Sequence, residues 1–304
     1  MTEPRLTLDA IVVAYHSGSV LDSALRALRA FAPDCRVIVV DNSPDDPSAA
    51  EAVAAFDNAA RVPEPANVGF AAAVNDGLAR CSADIVLLAN PDIHSLNGSL
   101  DEIARIFASD PRAAAVTVRI VDERGRLQHC RRRITPLDLF GLAVGTARLP
   151  VRLRRALTPA LLDWDHAEER VVDQATGALL FLRRAAVTEV GALDTRYFMY
   201  WEETDWLERA RQAGWHLVYT PQVGAVHAVG GSSAEETPSS NWLLLVESTY
   251  VYARKHFGLP TVLALRLVWA AGDLVRLLTG LRARPAHRVE LRHRLRLHLG
   301  LARR

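Results

Sequence analysis

The densest chemical cluster in this 304-residue chain is Phe198-Met199-Tyr200-Trp201-Glu202-Glu203-Thr204-Asp205-Trp206, three carboxylates among four aromatic rings. A carboxylate beside apolar rings loses solvation, holds its proton to higher pH and so suits proton transfer near neutrality. Glu203 is the first candidate for a general base, with Glu202 and Asp205 as competitors, and Tyr200, Trp201 and Trp206 offer stacking surfaces beside them. The same acids could instead serve the first turn of a following helix, where negative charge is favoured.

A second cluster, Asn90-Pro91-Asp92, follows the apolar run Ile85–Ala89. Hard divalent cations prefer oxygen ligands, and a site with few protein carboxylates leaves coordination positions for phosphate oxygens. Asn-Pro-Asp is also a competent turn. Asp41, after another apolar run, could accept a hydrogen bond from a base or ribose, or cap the next segment. Asn67-Val68-Gly69-Phe70, followed by Asn75, reads either as a loop carrying a helix N-terminus to the site or as an ordinary helix start. His227 closes an apolar run and precedes Gly230-Gly231-Ser232-Ser233, at the edge of a site or as a structural histidine.

These groups are positioned by a strand–helix alternation through the first 120 residues. Leu8–Ala14, Arg36–Val40, Arg61–Pro63, Ile85–Ala89 and Ala114–Val121 read as strands. Between them Val20–Phe31, Pro47–Phe56, Val68–Arg80 and Leu100–Ala108 read as helices. That rhythm predicts an α/β fold with a mostly parallel sheet and helices on both faces. Ligands bind such sheets beyond the carboxyl ends of the strands. Tyr15-His16-Ser17, Asp41-Asn42-Ser43 and Asn90-Pro91-Asp92 should therefore share one edge. Further on, Gln174–Arg183, Leu217–Tyr219 and Val223–His227 read as strands, and Thr204–Ala213 as an amphipathic helix stopped at Gly214.

The predicted organisation is a catalytic domain over 1–235, with an irregular insertion at about 130–172 that contains Arg131-Arg132-Arg133. A helical, basic extension follows over 236–304. From Thr261 to Arg304 ten arginines face only Asp273 and Glu290. Within 285–304, Leu291, Leu295 and Leu299 recur at helical spacing among arginines, the pattern of a helix lying on an anionic membrane surface or packing on protein. Leu259–Leu281 is interrupted by Arg266, Asp273 and Arg276, so no membrane span is expected there. No signal peptide is expected either, which points to a cytoplasmic protein, peripheral on the inner face of the cell membrane. Cys35, Cys81 and Cys130 lack the spacing of a metal or disulfide pattern.

Several classes are excluded by the absence of GxGxxG after the first strand, GxxxxGK[ST], HExxH and GxSxG. A sugar nucleotidyltransferase would need a lysine on the phosphates, and the single lysine, Lys255, lies outside the sheet portion.

Taken together, the segments VVAYHSG (12–18), VVDNSPDD (39–46), NVGFAAAVNDG (67–77), LLANPDI (87–93), ATGALLFLRR (175–184), FMYWEETDWLERARQAGW (198–215) and HAVGGSS (227–233) resemble the GT2 glycosyltransferases, and within them the bacterial rhamnosyltransferase-like group. The resemblance implies a GT-A fold and inversion at the anomeric carbon by single displacement. It implies that Ala14, Tyr15 and Asp41 hold the nucleoside, and that Asn67, Asn75, Asn90 and Asp92 line the donor. Asp92 and His227 would share Mg²⁺ or Mn²⁺. Asn90 stands where the family carries the first Asp of its DxD motif, and Glu203 stands where it carries the Asp of its ED pair. Tyr200, Trp201 and Trp206 would meet the acceptor. The donor implied is dTDP-L-rhamnose and the acceptor a polyprenyl-diphosphate-linked sugar, N-acetylglucosamine above all. No nucleic acid partner is expected. A UDP- or GDP-sugar donor and a degenerate, non-catalytic binding protein stand as the alternatives.

Overall fold

A computed structural model describes residues 6–146, 149–228, 238–279 and 294–298. It divides into two compact units, one of residues 1–132 and 161–236, the other of 133–160 and 237–304.

The first unit is built on a nine-stranded sheet. Its strands are β1 (Leu8–Ala14), β2 (Arg36–Asp41), β3 (Ala59–Pro63), β4 (Ile85–Ala89), β5 (Ile93–Asn97), β6 (Ala113–Val121), β7 (Arg170–Val172), β8 (Leu179–Arg183) and β9 (His216–His227). The order is β3-β2-β1-β4-β8-β6-β9-β5, with β7 also on β9. The four strands β3, β2, β1 and β4 run parallel, as does the β6–β9 pair, while β8, β5 and β7 are antiparallel to their neighbours. β1 and β4 are buried along their whole length, which is why β4 reads as an unbroken apolar run and β1 as one interrupted only by Asp9, rather than as alternating strands. Helices α1 (Gly18–Phe31), α2 (Ser48–Ala54), α3 (Phe70–Arg80), α4 (Leu100–Ser109), α7 (Arg184–Val190) and α8 (Glu202–Gln212) complete the unit. They cover two apolar clusters: residues of β1 such as Val12 and Ala14 belong to one, Ile11 and Val13 to the other.

Several boundaries differ from those read in the sequence. The stretch 174–178 is a loop, and the strand expected from Gln174 begins only at Leu179. Leu217–Tyr219 and Val223–His227 are one strand, β9. Its pairing with β6 jumps from Val118–Thr220 to Arg119–Gly224, so an irregularity takes up Pro221. Helix α8 starts at Glu202, two residues before the predicted start, which places Glu202 and Glu203 inside its first turn.

The second unit contains α5 (Pro136–Val144), α6 (Val151–Ala156), α9 (Pro238–His256) and α10 (Leu259–Thr279). Asp138 at the start of α5 accepts hydrogen bonds from the backbone N–H and the hydroxyl of Thr135, at 2.8 and 2.6 Å. These bonds and Pro136 in the first turn fix where α5 begins. Most of the tail predicted over 285–304 lies outside the described residues. The part described, 294–298, is helical, and its His298 is buried within hydrogen-bonding distance of Tyr250 Oη (2.7 Å) and Asp273 Oδ2 (3.3 Å). Gly230 to Ser233 also lie outside the described residues. Among the described residues no helix is long and apolar enough to cross a membrane.

Candidate active site

The sheet brings together Ala14 and Tyr15 after β1, Asp41 to Ser43 after β2, Asn90 to Asp92 after β4 and His227 at the end of β9. Because β8 runs antiparallel and pairs Leu179 with Ala89, the turn Gly177-Ala178 before β8 reaches the same edge. Asn90 N donates to Ala178 O at 2.9 Å, tying the two segments together.

Around β2 every polar group has a partner. Asp41 is fully buried. Its Oδ1 accepts from the backbone N–H and hydroxyl of Ser43, each at 3.0 Å, and its Oδ2 accepts from Arg61 Nε at 2.8 Å. Ser43 Oγ in turn receives the backbone N–H of His16, which has a left-handed φ of 44°. Asn42 and Asn67 bond through their amides at 3.1 Å, and Asn67 Oδ1 also accepts from Gly69 N. Gly69 has φ +85°, and a Cβ there would stand 2.6 Å from Phe198 O. The glycine thus lets α3 begin directly against the aromatic turn, where Phe70 N donates to Phe198 O at 2.7 Å.

The β4–β9 side is different. Asp92 and His227 are buried, with Asp92 Oδ1 3.1 Å from His227 Nε2. That oxygen nevertheless has no hydrogen bond of acceptable geometry. Asn90 Nδ2 lies 3.5 Å from the same ring nitrogen, and the Gln128 amide nitrogen Nε2 lies 2.8 Å from Nδ1. With the Gln128 amide turned over, its oxygen would accept from Nδ1 and leave Nε2 free as a ligand. A buried carboxylate oxygen without a donor, beside an imidazole and an amide, fits a hard or borderline cation. Among the described residues no three His, Cys, Asp or Glu groups cluster for metal binding. A cation here would therefore draw its other ligands from diphosphate and water.

The third part is the turn into α8. Tyr200 and Trp201 have φ of 70° and 72°, two successive non-glycine residues in the left-handed region. Such strain persists only where the surroundings enforce it. It reverses the chain so that Glu202 and Glu203 open the helix. Glu202 is buried, its Oε2 has no hydrogen-bond donor, and burial followed by the charge of Glu203 pushes its pKa well above the ordinary range. Burial also raises the pKa of Glu203, but the Arg131 guanidinium and the backbone N–H groups of Thr204 and Gly177 oppose that rise. The adjacent carboxyls cannot both ionise cheaply, and the upward push is the stronger on Glu202, which lacks the opposing charge that Arg131 gives Glu203. A Cβ on Gly177 would stand 3.0 Å from Glu203 Cγ, so this glycine leaves the space Glu203 occupies.

Three predicted site residues are engaged in contacts within the fold. Trp206 is 2% exposed, sits in the core and donates its indole N–H to Gly191 O at 2.8 Å. Asp205 is buried against Arg209 Nε (2.9 Å) and Tyr197 Oη (3.3 Å). Asn75 uses both ends of its amide on the backbone of Leu193, at 2.8 and 2.9 Å, joining α3 to the segment after α7 rather than reaching a ligand. Tyr200 and Trp201 remain half-buried beside Glu203.

Residues the sequence did not single out are Gln128, Arg131 and Gly177. Gln128 and Arg131 flank Cys130, whose N–H donates to His166 Nε2 at 3.0 Å, while Arg131 bridges to Gln174. The run Arg131-Arg132-Arg133 was the available signal for Arg131, since clustered arginines suit an anionic ligand. Burial pushes the thiols of Cys35, Cys81 and Cys130 up to about 12.

The profile of Glycosyl transferase family 2 matches residues 9–160. Over 265 residues the chain is 31% identical to the N-acetylglucosaminyl-diphospho-decaprenol L-rhamnosyltransferase of Mycobacterium tuberculosis, covering 83% of this chain and 85% of that protein. It is 24% identical over 224 residues to the low-salt glycan biosynthesis hexosyltransferase Agl10 of Haloferax volcanii, covering 72% of this chain and 66% of that protein. Among solved structures, GalNAc-T7 with UDP, GalNAc and Mn²⁺ superposes with a TM-score of 0.58 at 14% identity. The match covers 83% of this chain and 48% of that one, so this chain spans about half the length of GalNAc-T7. The mannosyltransferase PcManGT of Pyrobaculum calidifontis, in complex with GDP-Man and Mn²⁺, gives 0.50 at 17%, covering 98% and 86%. Identity at this level carries the fold alone. A family profile that spans half the chain and a relative 31% identical over most of it agree with the strand-edge carboxylates: the chain belongs to glycosyl transferase family 2 and is a glycosyltransferase of GT-A fold.

Proposed function

We propose that this glycosyltransferase moves L-rhamnose from dTDP-L-rhamnose onto a polyprenyl-diphosphate-linked N-acetylglucosamine, at the inner face of the cell membrane. The observation that carries this reading is the 31% identity, across 83% of the chain, to a relative named for that acceptor and that sugar. Ala14, Tyr15, the Asp41 turn and the Asn42–Asn67 pair form the nucleoside side of the cleft. Asp92 and His227, with Asn90 beside them, would hold Mg²⁺ or Mn²⁺, which when bound offsets the charge of the donor diphosphate.

The chain's own residues then account for the transfer. Glu203 accepts the proton of the acceptor hydroxyl as that oxygen bonds to the anomeric carbon. The bond from that carbon to the diphosphate breaks on the opposite face, and its electron pair leaves with dTDP. Burial pushes Glu202 toward its neutral form, and Arg131 opposes the burial that raises Glu203. Tyr200 and Trp201 line the acceptor side.

The donor is tested by ligand-dependent melting. Thymidine diphosphate with Mg²⁺ should raise the melting temperature more than UDP or GDP does. The margin over UDP should be modest, because one methyl group in a pocket is worth only about 1–3 kcal/mol. Stronger protection by GDP would overturn the donor. Release of rhamnose from dTDP-L-rhamnose, and its absence with UDP-sugars, would support it independently.

A further inference from the structure

We infer that the helical second unit docks on an anionic lipid bilayer through an outward leucine stripe on α10. This deepens the membrane placement proposed above, and its test does not depend on the transfer reaction. Helix α10 is apolar on two faces. One packs inward through Val262, Leu265 and Trp269, all buried. On the other, Leu259, Leu263, Leu267, Leu274, Val275 and Leu278 are 45–69% exposed, the leucines recurring at intervals of four and seven along about 30 Å of helix. Val151 and Leu153 of α6 are exposed in the same way, beside the exposed Arg152. Of the thirteen large hydrophobic side chains exposed among the described residues, only Val171 and Phe198 belong to the sheet unit. Apolar exposure this concentrated marks an interaction surface.

Charge selects the partner. The helical unit, 133–160 with 237–304, holds 17 basic and 4 acidic residues, a net +13. The sheet unit holds 19 and 31, a net −12. Two of the helical unit's acids, Asp138 and Asp273, are buried, so they add nothing acidic to its surface. A second copy does not fit this face. Its helical unit would bring like charge, and its sheet unit offers almost no exposed apolar side chains to meet the leucines. Nucleic acid would take the charge and leave the leucines in water. An anionic bilayer offers both an apolar layer and negative headgroups, which is how basic amphipathic surfaces lie in an interface.

The test is flotation of the full-length protein with vesicles of phosphatidylcholine and phosphatidylglycerol in equal parts, compared with phosphatidylcholine alone. The wild type should float with the mixed vesicles and much less with the neutral ones, and added salt should weaken it. The variant L263Q/L267Q/L274Q changes only exposed positions. It should bind at least about tenfold less, with an unchanged melting temperature and an unchanged rate of donor hydrolysis in solution. Flotation of the variant equal to wild type, or equal binding to neutral and anionic vesicles, overturns the inference. So does a wild type that stays off vesicles. If that wild type is a dimer in light scattering and the variant a monomer, a second copy covers the stripe instead.

Discussion

Asp41 ends β2 and Asp92 follows β4, the strands on either side of β1, and both are buried at the same sheet edge. Asp41 has donors on both oxygens, from Ser43 and Arg61. Asp92 has an oxygen with none, 3.1 Å from His227. The same contrast recurs in α8, where Asp205 is held by Arg209 and Tyr197 while Glu202 has an unpartnered oxygen. Buried polar groups in native structures are almost always paired, so those left over call for an explanation. At this edge Asp92 is left with an oxygen a cation could take, and in α8 Glu202 is left with one that favours its protonated form, a distinction the residue types alone do not carry.

The largest effect that would sharpen this comparison is on turnover at Asp92. Asp92→Ala should lower turnover by at least about 10³-fold, several kcal/mol of lost charge stabilisation. Its melting temperature should stay within a few degrees of wild type, since no hydrogen bond to Oδ1 is lost. Turnover in excess EDTA equal to that with Mg²⁺ would break the assignment. Asp41→Asn should do the reverse. Loss of the charged bond to Arg61 should destabilise the fold by about 1.5–3 kcal/mol, readable in denaturant unfolding. An Asp41→Asn protein as stable as wild type would erase the difference between the two aspartates.

A smaller effect is expected in the pH profile. Because burial raises Glu203 above the usual carboxylate range and Arg131 opposes that rise, turnover should fall with acidity along a limb set by Glu203. Arg131→Met should move that limb to higher pH, whereas a merely structural arginine would lower the whole profile without shifting it.

The smallest effect concerns stability at Glu202. Its folded pKa is raised, so the native state keeps a proton that the unfolded chain releases above the ordinary value of 4.5. Stability therefore falls as pH rises from that value toward the folded pKa. Glu202→Gln should remove this slope, leaving melting unchanged at low pH and raised near neutrality.

Much of this edge was legible from the chain alone. The bounds of β1 and β4 follow from apolar runs buried on both faces, and with them the convergence of Tyr15, Asp41 and Asp92. β5 was missed because Ile93-His94-Ser95-Leu96-Asn97 is short, half-exposed and mostly polar, without strict alternation. Its pairing with β9 is what places Asp92 against His227. Trp206 reads as a stacking platform because it is an aromatic beside acids, and that pairing does not make its burial legible. With Leu207 and Ala210 it forms the apolar face of α8, a periodicity that already pointed inward. Asn75 could not have been placed, since its partner is Leu193, 118 residues away. Nor do residue types show that Gly177 leaves room for Glu203.

The central claim is that Glu203, and neither adjacent acid, takes the acceptor proton. The direct measurement is turnover of Glu203→Gln, Glu202→Gln and Asp205→Asn side by side, with thymidine diphosphate binding measured on each. Glu203→Gln should lose about 10²–10⁴-fold in turnover and still bind the nucleotide. Glu202→Gln, which mimics an acid already neutral, should stay within a few-fold of wild type, and Asp205→Asn should lose stability before activity. Near-normal turnover of Glu203→Gln beside an inactive Glu202→Gln or Asp205→Asn would contradict the account and move the base to that neighbour.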